Sequence, residues 1–427
     1  MYVIEPKLRS FVTVADDSHF PIQNLPYGVF SVGDPNEAHI GVAIGDQVLD
    51  LCELSRRDKF NLPVLAGKRV LEEPTLNEFM ALGRPAWEAV RQRVAELLSA
   101  ENSELRDDAS LRGAVLHSQA AVTMRLPAEI GDYTDFYSSR EHATNVGTII
   151  RGADNALQPN WLHLPVAYHG RASSIVIDGT DVRRPIGQKK PGDDGQPGFG
   201  PSAAFDFELE MGFFIGPGNN QGEPIPVDQA EAHIFGLALV NDWSARDIQT
   251  WEYVPLGPFL SKNFATTISP WVVTLDALEP FRSESPKQNP QPLPYLQGPQ
   301  RSTFDIPLTV TLQGAEMNTA DTICQSNFRY LYWTMAQQIA HHTVTGCNLR
   351  PGDLLASGTI SGPDKSSRGC LLELTWRGAE PLELSDNSQR KFLQDGDVLT
   401  LTAACQGSGF RVGFGQATGR VLPTSDG

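Results

Sequence analysis

The sequence predicts a mainly β fold with a minority of helix, arranged as a small N-terminal unit and a larger β-sandwich or β-roll unit. Short apolar runs with alternating periodicity recur between turn residues, and the chain contains 38 glycines and 31 prolines. That pattern is typical of many short strands joined by turns. Strands do not alternate with helices over stretches long enough for a doubly wound sheet. We therefore expect a β+α protein with units at residues 1–120 and 121–427.

The N-terminal unit is predicted to contain a β-hairpin followed by a helix. Residues 28–32 and 39–51 read GVFSV and HIGVAIGDQVLDL, and a Gly45–Asp46 turn divides the second run. Pro85 suits the first turn of a helix, and the polar stretch 99–110 looks like an irregular boundary. The helix between them is predicted from apolar residues at helical spacing, which are Val90, Val94, Leu97 and Leu98.

The larger unit is predicted to consist of strands separated by long loops. Residues 187–202 and 285–300 are rich in glycine and proline, so we expect irregular loops there. A late strand is expected within 393–403, entered through an Asp–Gly turn.

One clear helix is predicted within 326–345. Ser326 can cap its start and Gly346 can end it. One face of this helix carries Leu331, Met335 and Ile339. The adjacent His341 and His342 would lie in the last turn, where a positive group suits the helix dipole.

Composition restricts the class of protein. The chain has 427 residues, 40% hydrophobic and 20% charged, which is ordinary for a soluble protein. No apolar run approaches the roughly 18 residues that a membrane span needs, and we expect no signal peptide. The net charge of −17 argues against nucleic acid and anionic membranes as partners. An anionic substrate would therefore need cations within its own site.

Cysteine usage predicts a reduced, cytoplasmic protein. The five cysteines are odd in number and form no CxxC pair. We expect mostly buried thiols at Cys52, Cys324, Cys347, Cys370 and Cys405.

Residue spacing argues against a nicotinamide or flavin site and against a serine nucleophile. Residues 216–222 and 413–419 place three residues before the last glycine, where a dinucleotide loop has two, and neither opens a predicted helix. Residues 357–362 read SGTISG, in which Ser361 comes one place too late for a GxSxG elbow.

An acidic strand raises the central question of the sequence. Residues 205–216 read FDFELEMGFFIG, which places Asp206, Glu208 and Glu210 on one face of an extended chain. Like charges about 7 Å apart repel, and strands are poor in acidic residues. A solvated strand face is the ordinary explanation. The apolar opposite face and the continuation into MGFFIG instead predict a firmly packed strand.

Convergence of these acids on a cation would resolve the repulsion. Two carboxylates at i and i+2, such as Glu208 and Glu210, can reach one ion. Asp135 lies in a similar neighbourhood, and Asp242 follows the apolar run 237–240 at a predicted strand end. Donors that are all oxygen favour Ca²⁺ or Mg²⁺ over Zn²⁺ or Cu²⁺. The sequence thus predicts a hard-cation site, with a solvated acidic face as the alternative.

Candidate catalytic groups lie near these acids. His142 follows Asp135 closely and could act as a general base, although a lone histidine is more often structural. Residues 241–267 supply a second group of candidates, which is Arg246, Gln249, Tyr253 and Lys262. Ordinary surface charge is the alternative explanation for Arg246 and Lys262. Lys262, however, follows the apolar segment VPLGPFLS and is expected to point inward.

Six long segments together resemble the fumarylacetoacetase family. The similarity covers nearly the whole chain in uninterrupted blocks, which is far more specific than a short motif. The N-terminal unit separates the chain from shorter relatives that share only the acidic strand. The segments are GDYTDFYSSREHATNVGTIIRG, NWLHLPVAYHGRASSIV, FELEMGFF, NDWSARDIQTWEYVPLGPFLSKNF, GCNLRPGDLLASGTISG and DGDVLTLTA with RVGFGQATGRVLP.

The resemblance implies a fold, a reaction and two metal sites. The family has a small SH3-like N-terminal domain and a β-roll catalytic domain, assembled as a homodimer. It hydrolyses a carbon–carbon bond of 4-fumarylacetoacetate to give fumarate and acetoacetate, the last step of tyrosine breakdown. Its Ca²⁺ ligands correspond to Asp135, Glu208, Glu210 and Asp242. Its Mg²⁺ contacts correspond to Asp242, Lys262 and Thr266.

The resemblance also implies roles for the catalytic and substrate-binding residues. His142 corresponds to the catalytic base, paired with Glu373, and Arg246 to an oxyanion partner. Gln249 and Lys262 would help to stabilise the alkoxide. Substrate contacts correspond to Tyr137, Arg151, Tyr168, Gln249, Tyr253 and Thr359.

The hypothesis from the sequence is metal-assisted attack by a water that His142 activates. An acylpyruvate hydrolase, decarboxylase or isomerase of the same superfamily remains an alternative. So does a non-catalytic scaffold stabilised by Ca²⁺. We expect a cytoplasmic homodimer that acts on a small molecule.

Overall fold

A five-stranded antiparallel sheet forms the N-terminal part of the computed structural model, which describes residues 1–34, 36–192 and 195–425. Its strands are β1 (Tyr27–Ser31), β2 (His39–Ile44), β3 (Gln47–Asp50), β4 (Leu116–Ser118) and β5 (Thr123–Arg125), in the order β4-β3-β2-β1-β5. The predicted hairpin is confirmed as β2 and β3. Gly45 turns between them with φ of 59°, and a Cβ there would lie 2.6 Å from the Thr13 carbonyl oxygen, so the turn requires glycine.

Five helices accompany this sheet: α1 (Leu51–Arg56), α2 (Asn77–Ala81), α3 (Arg84–Leu98), α4 (Ser103–Arg106) and α5 (Ala109–Val115). The predicted helix is confirmed as α3, with Pro85 in its first turn. The expectation of an irregular segment at 99–110 is wrong in part, because α4 and the start of α5 lie there. Asn102 and Asp108 each accept a hydrogen bond from a first-turn amide of these helices, a capping role that favours short helices in polar sequence.

Over the described residues, the rest of the chain contains many short strands and five further α-helices. The helices are α6 (Arg140–Arg151), α7 (Arg246–Glu252), α8 (Leu275–Leu278), α9 (Met335–Thr343) and α10 (Leu371–Leu374). The strands are β6 (Tyr133–Phe136), β7 (Ala167–Gly170), β8 (Ile175–Ile177), β9 (Val182–Arg183), β10 (Ile186–Lys189), β11 (Gly198–Pro201), β12 (Phe205–Asp206), β13 (Leu209–Ile215), β14 (Ile234–Asp242), β15 (Ser244–Ala245), β16 (Thr266–Ile268), β17 (Val273–Thr274), β18 (Arg282–Ser283), β19 (Thr303–Phe304), β20 (Pro307–Gln313), β21 (Asp321–Asn327), β22 (Leu354–Ala356), β23 (Leu382–Glu383), β24 (Gln389–Arg390), β25 (Val398–Gln406) and β26 (Arg411–Leu422).

Two large sheets organise these strands. The central sheet has the order β7-β6-β22-β13-β14-β16-β8, with β17 also paired to β14, and the second sheet has the order β21-β20-β25-β26-β9. The expected loop at 187–202 in fact contains the β10–β11 hairpin. The late strand predicted within 393–403 is confirmed as β25. Together the sheets confirm the predicted mixed, β-rich fold class.

The central sheet is buried on both faces. Its inner face meets the second sheet in the main apolar core, and its outer face packs against the N-terminal sheet and helices. The inner face includes Leu209, Met211, Phe213, Leu237 and Leu239, opposite Leu308, Val310, Leu399 and Leu401. The outer face includes Phe214, Ala238, Val240, Leu354 and Ala356. The acidic strand is therefore firmly packed, as predicted.

The helix predicted within 326–345 is shorter than expected. Ser326 belongs to strand β21, and the helix begins only at Met335. Thr334 and Gln337 form a reciprocal capping box that fixes this start. His341 and His342 do lie in the last turn of α9, as predicted.

Four of the cysteines are buried and only Cys347 is exposed, which confirms the expectation of mostly buried thiols. None of the helices in the described part of the chain combines the length and apolarity that crossing a bilayer requires.

Candidate active site

One end of the central sheet gathers four acidic side chains. Asp135 pairs in register with Ala356, the last residue of β22, and Asp242, the last residue of β14, pairs with Thr266. Glu210 lies at the start of β13, which runs antiparallel to β14 and β22, and Glu208 immediately precedes that strand. Adjacent strands thus bring their acids together at the same end of the sheet.

The four acids form a compact buried cluster. One ligand oxygen from each of Asp135, Glu208, Glu210 and Asp242 lies within 4.8 Å of those of the other three. Each of these residues is at most 5% exposed, so a solvated strand face is excluded for these acids. Within the described residues, Asp135 Oδ1 and Glu210 Oε1 are buried without a hydrogen-bond partner. Unpaired buried carboxylate oxygens in an all-oxygen set fit a hard divalent cation.

Nearby donors neutralise part of this charge. The Lys262 ammonium contacts Glu208 and lies 2.6 Å from Asp242 Oδ2. The Tyr168 hydroxyl donates to Asp242 Oδ2 at 2.8 Å and to Asp135 Oδ2 at 3.1 Å. Thr266 donates weakly to Asp242, at 3.4 Å. Lys262 is therefore buried and points inward, as predicted.

The pKa values of the cluster show that these donors are insufficient. Burial, and then the charge of Asp242, raises the pKa of Asp135 well above its usual range. Burial and the charge of Asp135 do the same to Glu210. Burial also raises the pKa of Glu208, but Lys262 and Arg246 outweigh it and hold that pKa below its usual range. These directions favour a cluster that binds protons or a further cation over one with four ionised carboxylates.

Gly358 lets the chain approach the cluster closely. Its amide donates to Glu210 Oε2 at 3.0 Å. Its φ is 76°, and a Cβ there would lie 2.3 Å from the Phe136 carbonyl oxygen. Glycine is required at this position, because a side chain would push the loop away from Glu210.

A buried His–Glu pair lies beside the acid cluster. His142 is in the first turn of α6, whose start is capped by Ser139, and its Nδ1 lies 2.6 Å from Glu373 Oε2. Burial raises the pKa of Glu373, but the charge and hydrogen bond of His142 lower it to about 2. Glu373 therefore stays ionised and directs Nδ1–H toward itself, which leaves Nε2 as the basic nitrogen.

Arg246, the first residue of α7, is held by two carboxylates. Its Nε donates to Asp206 Oδ2 at 2.9 Å, and its Nη1 donates to Glu208 Oε1 at 2.7 Å and to Gln249 Oε1 at 3.1 Å. Its Nη2 is buried without a partner among the described residues. The guanidinium thus keeps one free pair of N–H donors.

A cavity of about 500 Å³ opens onto these groups. Four of the predicted residues do not line the cavity, but each contacts a lining residue or the acid cluster. They are Glu210, Asp242, Thr266 and Glu373. The Tyr137 ring packs edge-on against His142, with centroids 5.2 Å apart, and Thr359 Oγ1 is buried without a partner in the described part of the chain. The predicted residues that line the cavity are Asp135, Tyr137, His142, Arg151, Tyr168, Glu208, Arg246, Gln249, Tyr253, Lys262 and Thr359.

Some groups at the site were not predicted. Asn145 donates to Glu373 Oε1 at 2.9 Å, and its position three residues after His142 on α6 was an available signal. Ser361, considered only as a nucleophile, donates to Glu373 Oε2 at 2.8 Å. The Cys370 thiol donates to the same oxygen at 3.1 Å. Ser361 lies in a loop 12 positions before Glu373, which periodicity could not predict, whereas Cys370 lies only three positions before Glu373.

Arg377 also lines the cavity and was not predicted. No ion pair of this side chain is found within residues 1–34, 36–192 and 195–425, whereas Arg246 and Lys262 are both paired. Asp206, noted only as one of three acids on a strand, is fully buried beside Arg246.

Comparison with known proteins agrees with this architecture. The family described as fumarylacetoacetate (FAA) hydrolase C-terminal matches residues 132–422, and the family described as fumarylacetoacetase N-terminal matches residues 23–127. The chain is 61% identical to the fumarylacetoacetase of Bos taurus and 60% identical to that of Homo sapiens, over 97% of this chain and 99% of each relative. A solved fumarylacetoacetate hydrolase from Exiguobacterium antarcticum has a similar fold, with a TM-score of 0.51 at 17% identity over 93% of this chain and 99% of that one. On these matches, this chain belongs to the fumarylacetoacetate hydrolase family.

Proposed function

We propose that this protein is a hydrolase that cleaves the carbon–carbon bond of 4-fumarylacetoacetate to give fumarate and acetoacetate, the last step of tyrosine degradation. The observation that carries the proposal is a buried His142–Glu373 pair and a buried four-carboxylate cluster that serve one cavity. The two mammalian relatives named above, at 60% and 61% identity, support the same substrate.

The acid cluster would hold the cation. Asp135, Glu208, Glu210 and Asp242 suit Ca²⁺. The oxygens of Asp242 and Thr266 would be available to Mg²⁺, beside the Lys262 ammonium, which pairs with the same carboxylates. When bound, a divalent cation supplies a Lewis acid that polarises the two oxygens of a β-diketone.

His142 would generate the nucleophile. With Nδ1–H directed at Glu373, Nε2 accepts a proton from water, and the remaining hydroxide adds to the carbonyl carbon next to the fumaryl group. The negative Glu373 stabilises the imidazolium that results. The hydrogen bonds from Asn145 and Ser361 keep that carboxylate in place.

Cationic donors would stabilise the oxyanion. The free Nη2 of Arg246 is held in place before the reaction by Asp206 and Glu208, which is the preorganisation that such donors need. Lys262 and Gln249 line the same cavity. Collapse of the oxyanion breaks the carbon–carbon bond, the electron pair leaves with the acetoacetate carbon, and the proton on His142 returns to that carbon. One water is consumed and one molecule of each product is released.

The remaining cavity residues would bind the substrate ends. Arg151 and Arg377 can each donate hydrogen bonds to a substrate carboxylate, Arg151 through the N–H groups that do not bind the carbonyl oxygens of Asn155 and Ala156. Tyr137, Tyr168, Tyr253 and Thr359 supply hydroxyl groups around the reacting chain. These local cations offset the long-range repulsion that a net charge of −17 exerts on an anionic substrate.

Product analysis tests this proposal. Purified protein loaded with Ca²⁺ or Mg²⁺ should consume fumarylacetoacetate, with loss of its ultraviolet absorbance, and release fumarate and acetoacetate in a 1:1 ratio. Consumption of simple acylpyruvates but not of fumarylacetoacetate would favour an acylpyruvate hydrolase. Release of CO₂ would favour a decarboxylase. Cation binding with no turnover of any of these substrates would favour the non-catalytic scaffold.

Three further features belong to the proposal: a homodimer, a cytoplasmic location, and a division at about residue 120 between an SH3-like N-terminal domain and the catalytic domain. Light scattering of the purified protein tests the first, and fractionation of the source cells tests the second. Separate expression of residues 121–427 tests the third.

A further inference from the structure

Asp206 is the one acid of the predicted acidic face that does not join the metal-type cluster. Glu208 and Glu210 lie in that cluster, whereas Asp206 lies on β12, opposite Ser244 of β15. Its side chain is fully buried. Its charge therefore needs partners of its own.

The Asp206 carboxylate accepts four hydrogen bonds from three separate parts of the chain. Oδ1 accepts from the amides of Phe207 and Leu371, both at 2.8 Å. Oδ2 accepts from the Leu372 amide at 2.9 Å and from Arg246 Nε at 2.9 Å. One side chain thus joins the acidic strand, the first turn of α10 and the guanidinium at the start of α7.

The two elements that Asp206 joins each carry a group with a proposed catalytic role. The first turn of α10 carries Glu373, which contacts His142. Cys370, the residue before that turn, does not accept a hydrogen bond from the first amides of α10 through its side chain. Asp206 supplies this acceptor from another segment of the chain. On the other side, Asp206 and Glu208 use Nε and Nη1 of Arg246, which leaves Nη2 as the free donor.

We propose that Asp206 is a positioning residue that fixes Arg246 and the Glu373-bearing turn relative to each other. It does not touch the substrate, because it lies behind Arg246 and is absent from the cavity wall. Its effect on turnover is transmitted through the direction of Arg246 Nη2 and through the seating of Glu373 against His142. The catalytic consequence rests on the proposed function, but the structural coupling does not.

A matched control exists elsewhere in the fold. Asp397 is also fully buried. It pairs with Arg390 through two bonds of 2.9 Å, to Nε and Nη2, and accepts a further bond of 2.9 Å from the Gln394 amide. It is not part of the cavity wall. Asp397→Asn therefore reproduces the loss of a buried carboxylate–arginine pair without disturbing the site.

The test compares Asp206→Asn with Asp397→Asn. Asparagine turns one acceptor oxygen into an NH₂ group that faces N–H donors, so either Arg246 or the first turn of α10 must shift. Misplacement of a catalytic group by about 1 Å can cost about 10²-fold in rate. We expect kcat of Asp206→Asn to fall by about that factor while KM and metal content stay near wild type, and kcat of Asp397→Asn to stay near wild type. Equal kcat values in the two variants would overturn the proposal.

A charge-preserving variant guards against misfolding. Asp206→Glu keeps the carboxylate but moves it by one methylene, so kcat should still fall about tenfold. Wild-type kcat in Asp206→Glu would show that only a buried charge is needed, and would overturn the positioning role.

Amide hydrogen exchange provides a readout that does not depend on substrate. Exchange at Leu371 and Leu372 should accelerate in Asp206→Asn and stay unchanged in Asp397→Asn. Unchanged exchange at both amides would overturn the coupling between Asp206 and α10. An inactive wild-type protein with accelerated exchange in Asp206→Asn would instead refute the proposed substrate and leave the coupling supported.

Discussion

Replacing Glu373 with glutamine tests the support of the proposed base. The carboxylate accepts hydrogen bonds from His142, Asn145, Ser361 and Cys370, and glutamine would place an NH₂ group against donors. The pKa of Glu373 falls from 4.5 to about 2 on folding, chiefly because the favourable charge and hydrogen bond of His142 outweigh burial. A hydrogen bond to a charged group contributes about 1.5–3 kcal/mol, and the Glu373 carboxylate forms such a bond with protonated His142.

The same interaction stabilises the imidazolium that forms when His142 takes a proton. Loss of about 1.5–3 kcal/mol from that state lowers kcat by about 10- to 10²-fold. The assay is the initial rate of loss of fumarylacetoacetate absorbance at saturating substrate, with metal content measured on the same sample. Glu380→Gln is the control, because Glu380 forms an exposed ion pair with Lys365 and is 56% exposed. A Glu373→Gln variant that retains more than about a third of wild-type kcat with normal metal content would refute the reasoning.

His142→Ala should abolish turnover but leave folding and metal content intact, as measured by circular dichroism and elemental analysis; near-normal kcat would remove the base assignment. Glu208→Gln should lose bound cation and activity together, and a chelator should inhibit the wild type while a serine-directed phosphonate should not; retained cation in the variant would count against the cluster. Because burial raises the pKa values of Asp135 and Glu210, Ca²⁺ added to metal-free protein should release protons, and its affinity should fall as pH is lowered. For the same reason, metal-free protein should lose stability as pH rises above the unfolded pKa values of these acids, since the native state then binds more protons than the unfolded state; a melting temperature that rises with pH would contradict this. Arg377→Gln should raise KM for fumarylacetoacetate more than KM for an acylpyruvate with a single carboxylate, and an equal change in both would exclude a role for Arg377 in binding the second carboxylate.

The positions of the metal-type acids could be anticipated because they follow strand periodicity. Glu208 and Glu210 alternate with apolar residues, which predicts that they share one face of a strand, whereas Asp242 ends an apolar run and is expected at a strand end. Adjacent strands in a sheet bring such ends together. The same alternation could not show that Asp206 lies outside the metal-type cluster. Its position depends on hydrogen bonds from two amides of α10, more than 160 positions away in the chain.

The error in the 326–345 helix has a physical cause. Leu331 falls at helical spacing from Met335 and Ile339, but it lies outside the helix, in the connection that follows β21. The decisive local signal was Thr334 with Gln337, a capping-box pattern that marks the true start. Apolar residues outside a helix can fall at helical spacing by chance, whereas a capping box identifies the residue at which the helix starts.

The expected loop at 187–202 fails for a different reason. Glycines and prolines there suggested irregular chain, but β10 and β11 form an antiparallel ladder through the backbone groups of Gly187, Gly198 and Gly200. Glycine weakens a strand without preventing it when tertiary contacts support the pair. The side chain of Ile248 on α7 packs against Gly187 and supplies such a contact.

The most direct test of the central claim is a crystal structure of the protein soaked with Mn²⁺ as an anomalous substitute for the native cation. We expect an anomalous peak bonded to oxygens of Asp135, Glu208, Glu210 and Asp242, next to the cavity that His142 lines. Full occupancy of Mn²⁺ elsewhere, with the four carboxylates still contacting only donors of the protein, would contradict this expectation.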